Sequence, residues 1–181
     1  SAAVYPAVAA TITGGVVEIP GIPAASTQPD LAVLDVLGVM GATVTRRDDM
    51  IRVEGPKGPL AAVDVDLSNA PDGAMAVAVA ALFADGPSRI HGLSTLRIKE
   101  TDRLAALETE LCRLGAAAEI QGDTLVVTPG ELHGAEIATY GDHRMAMALA
   151  LVGLVVDGVT IADPRVVEKT WPEYFRMLEA L

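Results

Sequence analysis

The segment AVAVAALFADGPSRIHGL, residues 76–93, joins an alanine-rich run to a glycine and then to a short strand pattern. Two similar segments occur elsewhere in the chain: AVAATITGGVVEIPGI at residues 7–22 and AMALALVGLVVDGVTIADP at residues 146–164. Their glycines Gly15, Gly86 and Gly158 are roughly seventy residues apart, which is typical of an internal repeat. Each segment predicts an α-helix, a glycine turn and a β-strand.

A second part of the repeat is visible twice, at residues 31–55 and 104–129. Each stretch contains an amphipathic helix pattern, a Gly-Ala helix end and two strand patterns. The polar turns between the strand patterns, RRDD and QGD, have the composition of β-hairpin turns. One unit therefore reads helix, strand, helix, strand, strand.

The third copy of the unit stops after its second helix and lacks a closing hairpin. We expect either that this copy ends as a cap or that a chain segment outside this sequence supplies the hairpin. The chain begins at Ser1 and its first methionine is Met40, which favours a processed chain or a piece of a longer one. The pattern predicts a single domain of three repeats, at about 1–70, 71–140 and 141–181.

The fold class follows from where the alanine-rich helices must lie. Residues 74–84 are apolar on every side of a helix, as expected for a buried helix. The run MAMALALVGLVV, residues 145–156, is also predicted to be a buried helix. We therefore predict an α/β (α+β) fold with helices inside and sheets outside.

Composition limits the possible partners. The chain is 51% apolar and 20% charged, which is typical of a globular protein, and its apolar runs are shorter than the ~18 residues of a membrane span. The net charge of −11 argues against a nucleic-acid partner. Cys112 is the only cysteine, so an intramolecular disulfide is excluded and a cytoplasmic location is expected.

Four segments that lead into predicted helices are rich in charge. They are NAPDGAM (residues 69–75), RIKETDR (97–103), YGDHRMAM (140–147) and RVVEKTWPEYF (165–175). Helix N-termini attract anions, and equivalent termini of a repeat tend to share one face. Lysine and arginine at such ends oppose the helix dipole, and local conflicts of this kind are typical of functional sites.

Structural interpretations are also open for these residues. Asp72 and Asp142 could be helix caps, and Arg103 could pair with Glu100 or Glu108. Arg144 has no obvious partner in the sequence. Cys112 is expected to pack within its amphipathic helix, and the spacing of the histidines indicates no metal site.

Three motifs together resemble one family: KETDR (99–103), GDHRMAM (141–147) and EKTWPEYF (168–175). The chain resembles the C-terminal domain of 3-phosphoshikimate 1-carboxyvinyltransferases, the EPSP synthase family. The resemblance implies two similar domains, each built from three βαβαββ units around buried helices, as an inverse α/β barrel of the enolpyruvyl transferase type. It also implies that the start of the family's chain completes this domain, and that an N-terminal partner domain is missing here.

The resemblance implies transfer of the enolpyruvyl group of phosphoenolpyruvate to the 5-hydroxyl of shikimate 3-phosphate, without a metal or organic cofactor. Asp72 would be the base on the 5-hydroxyl, and Glu100 would protonate the methylene carbon. Lys99 would contact shikimate 3-phosphate near the reacting hydroxyl. Thr95 stands where the family often has an amide that touches this substrate, which puts that contact in doubt.

The same resemblance implies a phosphoenolpyruvate site. Arg103 and Arg144 would bind this substrate, because guanidinium groups suit two-point contacts to oxyanions. Lys169 would complete the site, and His143 would be a neighbour without an assigned role. The isolated chain is predicted to be inactive, because it would supply only one wall of a cleft.

Two rival interpretations stay open. One is a domain of the UDP-N-acetylglucosamine enolpyruvyl transferase type, which shares the fold and the donor. The other is a non-catalytic interaction module with the same fold. The order KETDR and then DHRMAM favours the shikimate enzyme.

Overall fold

The computed structural model describes residues 2–181. The α-helices are α1 (Val4–Thr13), α2 (Ala32–Val39), α3 (Ala74–Ala81), α4 (Arg103–Arg113), α5 (His143–Ala150) and α6 (Tyr174–Glu179). The β-strands are β1 (Val16–Pro20), β2 (Thr43–Arg47), β3 (Met50–Glu54), β4 (Asp64–Asp66), β5 (Ser88–His91), β6 (Ala117–Gln121), β7 (Thr124–Thr128), β8 (Glu136–Ile137) and β9 (Thr160–Ile161). Short 3₁₀ turns lie at Pro29–Leu31, Pro71–Gly73, Ser94–Ile98, Leu151–Leu154 and Pro164–Lys169.

The strands form three separate sheets. One has the order β1-β3-β2 and is antiparallel, and a second has the order β4-β5-β7-β6. The third contains β8 and β9. Within residues 2–181 these sheets do not join into a closed barrel.

The two predicted hairpins are present, as β2–β3 and β6–β7. Strands β4 and β8 were not predicted from the repeat pattern, and each pairs in parallel with the strand that follows the next helix. They have three and two residues, too few for a periodic signal. The units β4-α3-β5 and β8-α5-β9 are therefore βαβ crossovers.

The core is helical, as the alanine pattern predicted. Every residue of α3 is buried, and α3 packs against both α1 and α5. The sheets cover these helices with alternating side chains; in β3, for example, Ile51 and Val53 face inward. Burying each such side chain contributes about 1.5–3 kcal/mol.

The run at residues 145–156 is not one continuous helix. Helix α5 ends at Ala150, the chain continues as the 3₁₀ turn Leu151–Leu154, and Val155 is exposed. Gly153 has a low helix propensity, which agrees with this early end. None of the helices in the described chain is long and apolar enough to cross a membrane.

Candidate active site

Arg103, the first residue of α4, lies at the centre of a buried charge cluster, with its side chain 2% exposed. Its Nε donates to Asp142 Oδ2 at 2.6 Å, and its Nη2 donates to Asp142 Oδ1 at 3.2 Å. Nη1 donates to Asp72 Oδ1 at 2.9 Å, and Nη2 also donates to Glu100 Oε2 at 2.7 Å. One guanidinium group thus joins three carboxylates from three separate segments.

The helix ends explain why these groups meet. Asp142 caps α5 by accepting the Arg144 N–H at 2.8 Å, and Asp102 caps α4 by accepting the Ala105 N–H at 3.0 Å. The 3₁₀ turn Pro71–Gly73 carries Asp72 into α3. The N-terminal ends of α3, α4 and α5 therefore converge on Arg103.

The charge of Arg103 is stabilised by its partners. Burial would lower the pKa of Arg103, but the hydrogen bond and charge of Asp142, with the charges of Asp72 and Glu100, raise it. Asp142 is fully buried. Since loss of Arg103 would leave the buried Asp142 carboxylate without this cation, Asp142 depends on Arg103.

Asp72 lies beside two more cations. Lys99 Nζ is 3.4 Å from Asp72 Oδ1, and Arg144 Nη2 is 3.7 Å from Asp72 Oδ2. Arg144 Nη1 is also 3.8 Å from Asp30 Oδ2. These contacts are longer than those of Arg103.

Glu100 is ionised at neutral pH. Its own backbone hydrogen bond lowers the pKa of Glu100 most, against the opposing effect of burial. The hydrogen bond from Lys169 and the charges of Arg103 and Lys169 lower it further, to about 2. Lys169 Nζ lies 3.2 Å from Glu100 Oε1, and the side chain of Lys169 is 62% exposed.

A small pocket of about 220 Å³ borders the cluster at His143 and Arg144. Burial lowers the pKa of His143, and within residues 2–181 its Nδ1 has no hydrogen-bond partner. Burial raises the pKa of Tyr5 to about 12, against the lowering effect of Arg144, so its hydroxyl stays protonated. The pocket therefore combines a neutral imidazole, a phenol and a guanidinium group.

Most of the predicted site residues come together in the structure. Direct contacts connect six of them, namely Asp72, Lys99, Glu100, Arg103, Arg144 and Lys169. His143 adjoins them at the start of α5. Thr95 is exposed in the turn Ser94–Ile98, and no contact joins it to this cluster in the described residues.

Some of the structural interpretations are corrected by the structure. Asp142 is a helix cap as expected, whereas neither Pro71–Gly73 nor α3 has a side-chain cap, so Asp72 is not one. Arg103 pairs with Glu100, while Glu108 accepts the Ile120 N–H at 2.9 Å. Cys112 is exposed rather than packed, because Leu111 and Leu114 take the buried positions of that turn.

Two parts of the cluster were missed by the sequence patterns. Arg144 does have carboxylate partners, Asp72 and Asp30, and Asp142 binds Arg103 in addition to capping α5. The only signal for Asp30 is a Pro-Asp pair at a turn start, the same pair that precedes α3. In residues 2–181 no group of three or more His, Cys, Asp or Glu is arranged to hold a metal ion.

The cluster is chemically suited to an anionic ligand. Lys99, Arg144 and Lys169 lie beside the carboxylates Asp72 and Glu100, and Arg103 binds the same two carboxylates through Nη1 and Nη2. A carboxylate or phosphate could compete with the protein carboxylates for these groups. Displaced carboxylates would then be available for proton transfer.

The chain is similar to known proteins along almost all of its length. A sequence profile of EPSP synthase (3-phosphoshikimate 1-carboxyvinyltransferase) matches residues 1–178. Over 98% of its length, the chain is 48% identical to 3-phosphoshikimate 1-carboxyvinyltransferase from Serratia proteamaculans and 47% identical to that from Klebsiella pneumoniae. It covers 41% and 42% of those proteins, so it spans about two fifths of the curated relatives it matches.

Solved structures show the same fold. EPSP synthase from Acinetobacter baumannii superimposes with a TM-score of 0.87 at 25% identity, covering 98% of this chain and 44% of that one. The enolpyruvyl transferase NikO from Streptomyces tendae gives a TM-score of 0.78 at 23% identity, covering 99% of this chain and 42% of that one. The likeness to NikO concerns the fold only.

Proposed function

This chain belongs to the EPSP synthase family, and on that premise we propose that it forms the C-terminal part of a 3-phosphoshikimate 1-carboxyvinyltransferase. The proposed reaction transfers the enolpyruvyl group of phosphoenolpyruvate to the 5-hydroxyl of shikimate 3-phosphate and releases phosphate. The observation that carries the proposal is the cluster around Arg103, where cations and carboxylates meet at three helix N-termini. An N-terminal partner domain would supply the rest of the site.

Phosphoenolpyruvate would bind by replacing protein carboxylates. Arg144 lies 3.7 and 3.8 Å from its two carboxylates and Lys169 is mostly exposed, so a ligand oxyanion would compete with Asp72, Asp30 and Glu100 for these cations. Arg103 would add a two-point contact of the kind that guanidinium makes with oxyanions. Together these three cations would hold the carboxylate and the phosphate of the donor.

Asp72 and Glu100 would carry out the acid–base steps. Asp72, beside Lys99, would accept the proton of the 5-hydroxyl as that oxygen bonds to carbon 2 of phosphoenolpyruvate. Glu100 would protonate carbon 3, which turns the methylene into a methyl group. As the bond to phosphate breaks, the Glu100 carboxylate would take a proton back from that methyl group and so restore the double bond. Since Glu100 is ionised while paired with Lys169 and Arg103, a ligand that draws these cations away would raise its pKa and let it hold a proton.

The first test replaces the two carboxylates in the full-length enzyme. We expect Asp72→Asn and Glu100→Gln each to lower kcat by roughly 10²–10⁴-fold, the typical contribution of a general acid or base. Phosphate release measures turnover, and circular dichroism checks folding. Asp35→Asn is the matched control, because Asp35 is 75% exposed and pairs with Arg46 outside the cluster. A near-normal kcat in either site variant rules out its proposed role.

Titration calorimetry separates this proposal from its two rivals. The full-length enzyme should bind phosphoenolpyruvate and shikimate 3-phosphate but not UDP-N-acetylglucosamine. Binding of UDP-N-acetylglucosamine would favour the rival transferase, and binding of none of the three would favour a non-catalytic module. We also propose a cytoplasmic location, supported by the free thiol of Cys112, the sole cysteine.

A further inference from the structure

Helix α4 carries a second buried charge, Glu110, about two turns after Arg103. Glu110 is 0% exposed, and its Oε1 accepts the hydroxyl of Tyr140 at 2.7 Å. Its Oε2 accepts the Ala138 N–H at 3.2 Å and lies 3.1 Å from Arg113 Nε. A buried carboxylate is tolerated when such partners satisfy its hydrogen bonds. Two of the partners, Ala138 and Tyr140, belong to the loop that precedes α5.

That loop has an unusual backbone. Tyr140 has φ = 57° and Gly141 has φ = 68°, so two successive residues lie in the left-handed region. Glycine adopts this conformation readily, whereas a bulky residue such as tyrosine keeps it only where its surroundings hold it there. Tyr140 is 40% exposed, so packing alone does not hold it, and its hydroxyl is bound to Glu110.

The loop leads directly into Asp142, His143 and Arg144. Helix α4 therefore holds it at two points: Arg103 binds the Asp142 side chain, and Glu110 binds Tyr140. Burial, together with the hydrogen bond and charge of Glu110, raises the pKa of Tyr140, so its hydroxyl remains a donor. A shift of this loop would move Arg144 and also the cap that orients Arg103.

We propose that Glu110 and Tyr140 are a pair of positioning residues that set Asp142 and Arg144 for binding of phosphoenolpyruvate. The inference rests on the proposed function, because that proposal makes Arg103 and Arg144 the contacts of phosphoenolpyruvate. Neither Glu110 nor Tyr140 touches the reacting atoms. They act through the loop, so their loss should affect one substrate more than the other.

The test uses the full-length enzyme with Tyr140→Phe and, as a second variant, Glu110→Gln. We expect the KM for phosphoenolpyruvate to rise about tenfold, while the KM for shikimate 3-phosphate changes by less than about twofold. Hydrogen exchange of the amides at residues 138–145 should become faster. The matched control is Tyr174→Phe, which removes a hydroxyl bonded to Met147 O at 2.6 Å on the same helix α5.

The control should lose thermal stability without a change in either KM. The proposal is overturned if Tyr140→Phe and Glu110→Gln leave the KM for phosphoenolpyruvate within twofold of wild type, whatever the exchange shows. It is also overturned if exchange at residues 138–145 stays at the wild-type rate. Absence of turnover in the wild-type enzyme would reject the proposed function instead, and the exchange measurement would still decide whether the pair holds the loop.

Discussion

At the scale of single residues, the site depends on which carboxylate each cation holds. Arg103 is bound tightly by Asp142, at 2.6 and 3.2 Å, and both side chains are almost fully buried. Glu100 and Asp72 are bound by Arg103 too, but they also face the more exposed Lys169 and Lys99. Asp142 thus holds Arg103 in place, whereas Asp72 and Glu100, which Arg103 shares with Lys99 and Lys169, are the carboxylates that can exchange partners.

Glu100 should make the unfolding free energy of the protein depend on pH in the acidic range. Its pKa is about 2 in the folded chain and 4.5 ordinarily, so folding favours the ionised form. This contribution is complete above about pH 4.5 and is lost as the pH falls from there toward about 2. The difference in unfolding free energy between wild type and Glu100→Gln should therefore shrink through this window.

Urea unfolding of both proteins from pH 7 to pH 2.5 measures that difference. Glu168→Gln serves as the control, because Glu168 is an exposed carboxylate in the adjacent turn Pro164–Lys169. If the difference in unfolding free energy between wild type and Glu100→Gln stays constant through the window, the pKa of Glu100 is not lowered by its backbone hydrogen bond, Lys169 and Arg103.

At the scale of elements, the site depends on how closely the helix starts approach. The turn Pro71–Gly73 lies directly against α2, where a Cβ added to Gly73 would be 2.4 Å from Val33 Cγ2. Gly73 has φ = −74°, an ordinary value, so the close approach rather than the backbone conformation requires glycine. Val33 is fully buried in a helix, where a β-branched side chain has little freedom to move.

Gly73→Ala should therefore lower the unfolding free energy by about 1–3 kcal/mol, the usual cost of overpacking. It should also lower turnover, because the displaced turn carries Asp72. Val33→Ala removes the opposing methyl groups, so the double variant should be more stable than the sum of the two single losses predicts, by about 0.5–3 kcal/mol. Urea unfolding of wild type, the two single variants and the double variant measures this coupling. If the losses of unfolding free energy are strictly additive, the contact with Val33 is not the reason that alanine is unfavourable at position 73.

At the scale of the whole molecule, the chain combines a buried helical core with an apolar groove on its surface. The helices α1, α3 and α5 pack together beneath the sheets. Strand β9 pairs only with β8 in the described part of the chain, and an apolar groove of about 430 Å³ lies beside it. Its apolar lining includes Leu154, Val159, Ile161, Phe175 and Leu178.

These 181 residues alone should fold but should not turn over substrate. The helical core supports folding, whereas catalysis would need a second domain to enclose both substrates and exclude water. The isolated chain should bind phosphoenolpyruvate weakly, with a Kd of about 1 mM. A phosphate-release assay tests this, with circular dichroism as the folding control. Turnover within about tenfold of the full-length enzyme would contradict the view that the site is half of a cleft.

Local sequence patterns were enough to predict the elements that have a local signal. The alanine-rich helices, their burial and the hairpins at RRDD and QGD follow from periodicity and turn chemistry, which are properties of neighbouring residues. Family membership follows in the same way from motifs read in order along the chain. The two- and three-residue strands β8 and β4 carry no such signal, because only their pairing partners make them strands.

The tertiary structure alone decided how the charges are paired. Arg103 meets Asp142 and Asp72, Arg144 meets Asp30, and Glu110 meets Tyr140, although each pair is far apart in the chain. The strength of such a pair depends on distance and on burial, and neither can be read from sequence spacing. For the same reason, the lowered pKa of Glu100 became evident only when its backbone hydrogen bond, Lys169 and Arg103 were placed around the carboxylate.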